Sequence, residues 1–258
     1  MKIKSIFFIN KFDQIRNKDG KKIKPNSLIS SSELSSLNNE DINLLKGLNV
    51  TDIIDFRSNC EIKHKPDVEI KGVNYYPLHL LTDEDATVVT KENRIHILKE
   101  KMKYPGGVKA CVCSYYDKLV TSSLGIEGYK KAFEIVKNSK GTVIYHCTQG
   151  KDRTGLFTSM LLYILGFDRK SIYKTYKKYN RKTFFKHLGY VLGVMFRYCS
   201  IRKAKALSHV LVSRNIYIDH TVAVILRNYG SIDAYLEKAL NIRKEDKELL
   251  RNKYLIND

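Results

Sequence analysis

Residues 142–158 read TVIYHCTQGKDRTGLFT, and this stretch decides the fold. The β-branched and aromatic run 142–147 predicts a buried strand that ends at Cys147. A short polar loop containing Gly150 follows, and the apolar run 154–165 predicts a helix. The pattern therefore predicts a strand, a tight loop and a helix in direct succession, with a cysteine where the strand meets the loop.

Strand and helix patterns also alternate elsewhere in the chain. Residues 37–48 predict a short helix that Asn38 caps, and residues 50–56 predict a buried strand. Residues 71–78, KGVNYYPL, predict another strand, and residues 126–138 carry apolar side chains at helical spacing. Strands that alternate with helices are typical of an α/β fold.

The remaining patterns complete the expected architecture. Residues 82–124 are polar and contain a Pro-Gly-Gly breaker at 105–107, which predicts loops and short helices. Helical patterns continue to the end of the chain, and no shift in composition demands a second domain. We expect one α/β domain over residues 1–258, with a central mixed or parallel sheet flanked by helices and a helical C-terminal region.

Composition limits the classes of protein that fit. The chain has 258 residues, of which 43% are hydrophobic and 28% charged, as in globular proteins. No apolar run reaches the roughly 20 residues of a membrane span, and the patch at 6–9 is shorter than the apolar core of a signal peptide, about 7–15 residues, so we expect a cytoplasmic protein. Five cysteines favour free thiols, and Cys111-x-Cys113 lacks a second ligand pair, so we expect no metal and no cofactor.

The residues that follow the predicted strand suit the binding of a phosphate group. A loop wrapped onto a helix N-terminus points backbone N–H groups and the positive end of the helix dipole at an anion. We therefore expect Thr148, Gln149 and Gly150 to line a phosphate site. The same field favours the thiolate form of Cys147, and the guanidinium of Arg153 can hold two phosphate oxygens. Cys147 is then placed to attack phosphorus and form a phosphocysteine.

Neighbouring side chains receive supporting roles in this interpretation. We expect Thr154 to donate a hydrogen bond to the cysteine sulfur, and His146 to orient the loop through its ring N–H groups. Lys151 is either solvated or a point charge for a second phosphate on an inositol ring. We also assign Asp55 and Arg57 to the phosphate site, although Arg57 could instead pair with Asp55 or with Glu61.

Three stretches resemble a known family. Residues 146–155, HCTQGKDRTG, resemble the phosphate-binding loop of the cysteine-dependent protein tyrosine phosphatases. The Lys-Asp pair in that loop is similar to the bacterial members that also act on phosphoserine, phosphothreonine and phosphoinositides. Residues 53–67 resemble the family's motif of Asp-Leu/Phe-Arg-Ser followed by Glu and then Pro-Asp, and residues 228–240 resemble its C-terminal motif of Tyr-Gly-Ser followed by Tyr-Leu. The resemblance implies a tyrosine-phosphatase-like fold and a phosphorylated protein or phosphoinositide as substrate, while Gln149 stands where the family usually has a small residue.

A proton donor and acceptor is also needed, because the reaction expels an alkoxide or phenoxide and then consumes water. Many tyrosine phosphatases use an aspartate in a Trp-Pro-Asp loop, but this chain has no tryptophan. Asp152 is therefore the first candidate, as the resemblance also implies, with a purely structural role as the alternative. Asp55 is the second candidate, and Asp83 and Asp85 come third.

The basic region, residues 169–218, stands apart from the rest of the chain. It contains thirteen Lys and Arg residues and nine Tyr and Phe residues but no Asp or Glu, within a chain of net charge +19. It could form a lid over the site or contact an anionic membrane. Alternatively, its apolar side chains complete the core and its lysines face water. Binding of nucleic acid is not favoured, because no recognised motif is present.

Two other functions compete with a phosphatase. The first is a phosphate- or phosphoinositide-binding module without turnover, suggested by the basic region and by the missing Trp-Pro-Asp sequence. The second is a different thiol enzyme on a similar loop, such as a sulfurtransferase. The sequence Arg153-Thr154-Gly155 suits phosphate better than persulfide transfer.

Overall fold

A five-stranded mixed sheet forms the centre of the computed structural model, which describes residues 3–12, 15–86, 88, 90 and 93–257. The strands in chain order are β1 (Ile9–Lys11), β2 (Lys22–Ile23), β3 (Leu28–Ser31), β4 (Val50–Asp55), β5 (Asn74–Pro77), β6 (Thr142–His146) and β7 (Leu255–Ile256). The order across the sheet is β1-β3-β6-β4-β5, in which only β1 runs antiparallel to its neighbour. Strands β2 and β7 pair separately and antiparallel.

Helices surround this sheet, as the alternating sequence patterns predict. Those formed by the described residues are α1 (Asn39–Gly47), α2 (Asn59–His64), α3 (Arg94–Lys103), α4 (Gly107–Thr121), α5 (Ser123–Asn138), α6 (Asp152–Ile164), α7 (Arg169–Tyr176), α8 (Lys178–Tyr198), α9 (Ile201–Leu211), α10 (Asn215–Tyr229), α11 (Ile232–Lys238) and α12 (Lys244–Tyr254). The expectation of an α/β fold with a mixed central sheet and a helical C-terminal region is confirmed.

Strand β6 is central because both of its faces are apolar. Side chains alternate between the two faces of a strand. Ile144 packs in the cluster that contains Ile29, Leu45 and Ile53 on the α1 side of the sheet. Val143 packs in the main core on the other side, with α5 and α6. A strand buried on both faces suits the middle of a parallel array, and its C-terminal end delivers Cys147 to the edge of the sheet.

Local sequence signals locate several elements well. Asn38 caps α1, and its side chain accepts a hydrogen bond of 2.8 Å from the Asp41 N–H. Residues 82–124 were expected to form loops and short helices; α3 has ten residues, but α4 is longer than expected, with fifteen. The breaker at 105–107 separates these two helices, and Gly106 there has a φ of 79°. Packing outweighs the weak local pattern, since α4 buries Tyr116 and Leu119 in the main core.

The basic region, residues 169–218, is helical and includes α7, α8, α9 and the start of α10. Helix α8 packs against α9, which in turn packs against α3 and α4. The buried side of α8 carries Tyr179, Thr183, His187 and Val194. Across the described part of the chain, no helix combines the length and the apolarity that crossing a bilayer requires.

Candidate active site

The loop between β6 and α6 lies tightly against strand β3. His146, the last residue of β6, is in register with Ser31 of β3 and with Asp55 of β4. Gly150 has a φ of +68°, and a Cβ atom at this position would lie 2.5 Å from the Ser31 carbonyl oxygen. Only glycine satisfies both the backbone angle and this close approach. The glycine expected in the loop is therefore required by the packing of the loop on the sheet.

Helix α6 begins directly after the loop. Its first hydrogen bond runs from the Gly155 N–H to the Lys151 carbonyl oxygen, at 2.9 Å. Lys151 is the N-cap residue, and its side chain makes no capping hydrogen bond to the first turn. The first-turn N–H groups and the positive end of the helix dipole are therefore available to an anion held by the loop.

Cys147 and Arg153 are both buried beside this helix end, with exposed fractions of 3% and 6%. The guanidinium of Arg153 makes a two-pronged contact with Glu61, with N–O distances of 2.6 and 2.7 Å. It also donates to the Phe56 carbonyl oxygen at 3.1 Å. Burial alone would raise the pKa of Glu61, but the hydrogen bonds and charge of Arg153 lower that pKa to about 2. Arg153 is therefore held in a fixed position by an ionised carboxylate.

Glu61 is the main residue that our sequence analysis did not assign to the site. Ser58 caps α2, and the Glu61 side chain accepts a hydrogen bond of 3.0 Å from the Ser58 N–H in return. The Thr148 hydroxyl also donates to Glu61, so that Thr148 is tied to α2. The Ser-x-x-Glu capping pattern was readable as the start of a helix, but nothing in it points to an arginine far along the chain.

A buried cluster of charged residues lies where β4 and β6 end. Arg57 donates to Asp55 from its backbone at 2.9 Å and from its guanidinium at 2.7 Å, and it reaches Asp67 at 2.9 Å. The Nε2 atom of His146 lies 2.9 Å from Asp67, and its Nδ1 atom lies 3.7 Å from Asp55. One oxygen or nitrogen atom from each of Asp55, Asp67 and His146 could bind a metal ion, and these three atoms lie within 4.8 Å of one another. Arg57 contacts both carboxylates, and His146 lies beside both as a second basic group, so this cluster does not suit a metal ion.

Charge within the cluster overcomes the effect of burial. Burial raises the pKa of Asp55, but the charges of His146 and Arg57 lower it to about 2. Burial lowers the pKa of His146, but Asp55 and Asp67 raise it overall. Both Asp55 and Arg57 are almost completely buried. This placement favours a supporting role for Asp55, Arg57 and His146 beneath the loop, in place of the direct phosphate contact expected for Asp55 and Arg57.

Asp152 is a half-buried acidic group at the loop, with 27% of its side chain accessible. One carboxylate oxygen accepts a hydrogen bond of 2.7 Å from the Tyr116 hydroxyl, and the other lies 3.3 Å from the Lys151 amino group. The third-ranked candidates are engaged elsewhere. Asp83 accepts a hydrogen bond from the Cys60 N–H, and Asp85 pairs with Lys118.

Helices α8 and α9 contact the loop from outside the sheet. The Tyr179 hydroxyl donates to Gln149 at 2.9 Å, and the Lys151 amino group donates to the Val210 carbonyl oxygen. Lys151 is buried as a result, which differs from both positions expected for it. The Thr154 hydroxyl is buried without a hydrogen-bond partner among the described residues, and is free to donate to a group at the loop.

Comparison with known proteins agrees with this arrangement. The model of the tyrosine phosphatase family matches residues 11–256. The chain is 25% identical over 242 residues to a Cupriavidus necator protein provisionally named as a tyrosine-protein phosphatase, covering 92% of this chain and 81% of that protein. It is also 25% identical over 241 residues to the triple specificity protein phosphatase PtpB of Mycobacterium tuberculosis, covering 84% of this chain and 87% of that protein.

A solved structure of the core catalytic domain of the Saccharomyces cerevisiae PP-IP phosphatase SIW14 aligns with 83% of this chain and 94% of that chain. The identity is 13% and the TM-score is 0.34, a likeness too weak to support a conclusion about this chain. The match to the family extends over nearly the whole chain and includes every residue of the loop and of its supports. The chain therefore belongs to the tyrosine phosphatase family of enzymes.

Proposed function

We propose that this protein hydrolyses phosphotyrosine through a phosphocysteine intermediate. The observation that carries the proposal is the position of Cys147 at the N-terminus of α6, beside a guanidinium that Glu61 fixes. A dianionic phosphate in the loop would accept hydrogen bonds from the N–H groups of the first turn, and the positive charge of Arg153 would stabilise it. The N–H groups and the guanidinium are held in place before the substrate binds, so they stabilise the negative charge of the transition state without rearranging.

In the first step, the thiolate sulfur of Cys147 attacks phosphorus and forms an S–P bond. The P–O bond to the tyrosine breaks, and the leaving oxygen takes a proton from Asp152. In the second step, water attacks phosphorus and gives a proton back to Asp152, the S–P bond breaks, and the sulfur leaves as a thiolate. The free hydroxyl of Thr154 is suited to donate a hydrogen bond to that sulfur.

A broader range of substrates is part of the same proposal. The Mycobacterium tuberculosis relative is named as a triple specificity phosphatase, which supports activity on phosphoserine and phosphothreonine as well as phosphotyrosine. Phosphoinositides are a further substrate class, for which Lys151 would supply a point charge to a second phosphate. Because Lys151 donates to the Val210 carbonyl oxygen, that role requires the end of α9 to release it.

The decisive experiment compares wild type with Cys147→Ser on an aryl phosphate, a phosphotyrosine peptide and a panel of phosphoinositides, without added metal. We expect the variant to lose at least about 10³-fold in activity, because a serine hydroxyl is a far weaker nucleophile. Cys199→Ser is the matched control, since Cys199 is exposed at the end of α8. Binding of these substrates without turnover by wild type would instead identify a phosphate-binding module and overturn the proposal.

A further inference from the structure

Helix α8 has apolar side chains on the face that points away from the protein. Its large exposed apolar side chains are Phe184, Phe185, Leu188, Leu192 and Phe196, together with Tyr190. At 100° per residue, the first five fall within an arc of about 120° on the helix surface. Phe185 and Phe196 are 84% and 72% exposed. We call these five residues the aromatic stripe of α8.

The opposite side of the same helix packs against the rest of the protein. Tyr179, Thr183, His187 and Val194 are buried against the protein. An ordinary surface helix has one apolar face toward the core and a polar face toward water. Helix α8 therefore carries a second apolar face that the described residues leave uncovered. Ile201, at the start of α9, is a further exposed apolar side chain, 76% accessible. Contiguous exposed apolar surface of this kind marks an interaction site.

The positive charge around the aromatic stripe indicates which kind of partner would bind it. Residues 169–218 contain thirteen Lys and Arg residues and no Asp or Glu. Exposed basic side chains on α8 and α9 surround the aromatic stripe: Arg181, Lys182, Lys186, Arg197, Arg202 and Lys205. A second copy of this chain would bring this positive charge against itself. A bilayer that contains acidic lipids has an anionic surface and an apolar interior. It is therefore complementary to the basic side chains and to the aromatic stripe.

We propose that the aromatic stripe of α8 docks this protein on the surface of an anionic lipid bilayer. The phenylalanine and leucine side chains enter the boundary between headgroups and acyl chains, and the surrounding lysines and arginines contact the acidic headgroups. The inner side of α8 contacts the loop through Tyr179 and Gln149. Docking therefore holds the loop about one helix diameter, roughly 10–12 Å, from the lipid surface.

Sedimentation of the full chain with vesicles tests this docking. The vesicles contain phosphatidylcholine alone or phosphatidylcholine with phosphatidylserine, neither of which offers a phosphate monoester to the loop. We expect binding to the acidic vesicles only, weakened by added salt. The double variant Phe185→Ser/Phe196→Ser should bind at least about tenfold more weakly. Leu226→Ser/Leu249→Ser is the control, because it also replaces two exposed apolar side chains, on α10 and α12 and outside the aromatic stripe, and it should bind like wild type.

A second variant separates charge from apolar contact. Arg181→Glu/Arg202→Glu keeps the aromatic stripe intact and should also lose binding to acidic vesicles. Hydrolysis of a soluble aryl phosphate should be unchanged in both double variants, so failure of docking and failure of the proposed function give different results. Equal binding to both vesicle types, or equal binding by variants and control, would overturn the proposal. So would a dimer in light scattering that Phe185→Ser/Phe196→Ser dissociates, since that would assign the stripe to a protein interface.

Discussion

The loop at residues 147–151 buries charged side chains, whereas the outward face of α8 exposes apolar ones. Around the loop, charged groups are buried, and each has a partner of opposite charge, such as Arg153 with Glu61. On α8, large apolar groups are exposed and have no such compensation within the described chain. Burying a charge is costly unless it is paired, and these pairs within the protein offset that cost around the loop. This difference is the reason why we propose a partner outside the protein for the exposed face of α8 and none for the charged groups around the loop.

The largest effect that probes the loop is expected from Asp152→Asn. This change removes the half-buried acidic group at the loop and should lower turnover about 10²–10⁴-fold on a phosphotyrosine peptide. The loss should be smaller on an aryl phosphate whose phenol is a better leaving group, because that oxygen needs less help from a proton. Steady-state kinetics on the two substrates test this, with Asp83→Asn as the control.

An equal loss on both substrates would assign Asp152 a structural role at the loop. A control variant that loses as much activity would show that any acidic residue near α2 matters, which would count against Asp152 as the group that moves the proton.

Glu61→Gln tests whether the buried charges depend on one another. The substitution leaves Arg153 buried beside a neutral amide, and breaking a buried pair costs about 3–5 kcal/mol of unfolding free energy. We also expect reduced turnover, because the guanidinium loses its fixed position. Denaturant unfolding and kinetics measure the two effects. Glu127→Gln, on an exposed pair of α5, should change unfolding by less than about 0.5 kcal/mol. A stable Glu61→Gln variant would contradict our account of the site.

Acid should weaken the same region. Glu61 and Asp55 have folded pKa values of about 2, below their ordinary values of 4.5 and 3.8. Their contribution to stability is therefore complete above about pH 4.5 and is lost as the pH falls toward 2, on the order of 3 kcal/mol for Glu61 and 2 kcal/mol for Asp55. His146 has a raised pKa, so its contribution is present below pH 6.5 and is lost at higher pH. Thermal unfolding across pH should show its maximum between these limits, and a maximum above pH 8 would contradict the assignment.

Gly150→Ala tests the tight packing of the loop on β3. An added methyl group would meet the Ser31 carbonyl oxygen at 2.5 Å on a backbone with positive φ. We expect a loss of about 1–3 kcal/mol in unfolding free energy together with weaker binding of phosphate analogues. Gly189→Ala, which adds a methyl group in open space on α8, is the control and should be neutral or slightly stabilising.

Tyr179→Phe gives the smallest expected effect and probes the contact between the two regions. It removes the hydroxyl that donates to Gln149 but keeps the ring against Phe8. We expect a loss of about 1 kcal/mol in unfolding free energy and faster access of thiol reagents to Cys147. Unchanged labelling of Cys147 would show that α8 does not limit access to the loop.

Local sequence patterns were sufficient for much of the fold. The strand, loop and helix of residues 142–158 depend on neighbouring residues, and Asn38 caps its helix through a contact only three residues away. Short helices were expected between residues 82 and 124, but the fifteen-residue length of α4 was not. Burial of Tyr116 and Leu119 in the main core stabilises α4, and that burial requires the rest of the chain.

The sequence by itself determined that Cys147, Gly150 and Arg153 meet at one helix N-terminus, because they lie within seven consecutive residues that join a strand to a helix. Only the tertiary structure decided that Glu61 holds Arg153, since 92 residues separate the two and no local pattern links them. It also decided which face of α8 is buried. Helical spacing reveals that apolar residues share a face, but only the surrounding protein determines whether that face finds a partner.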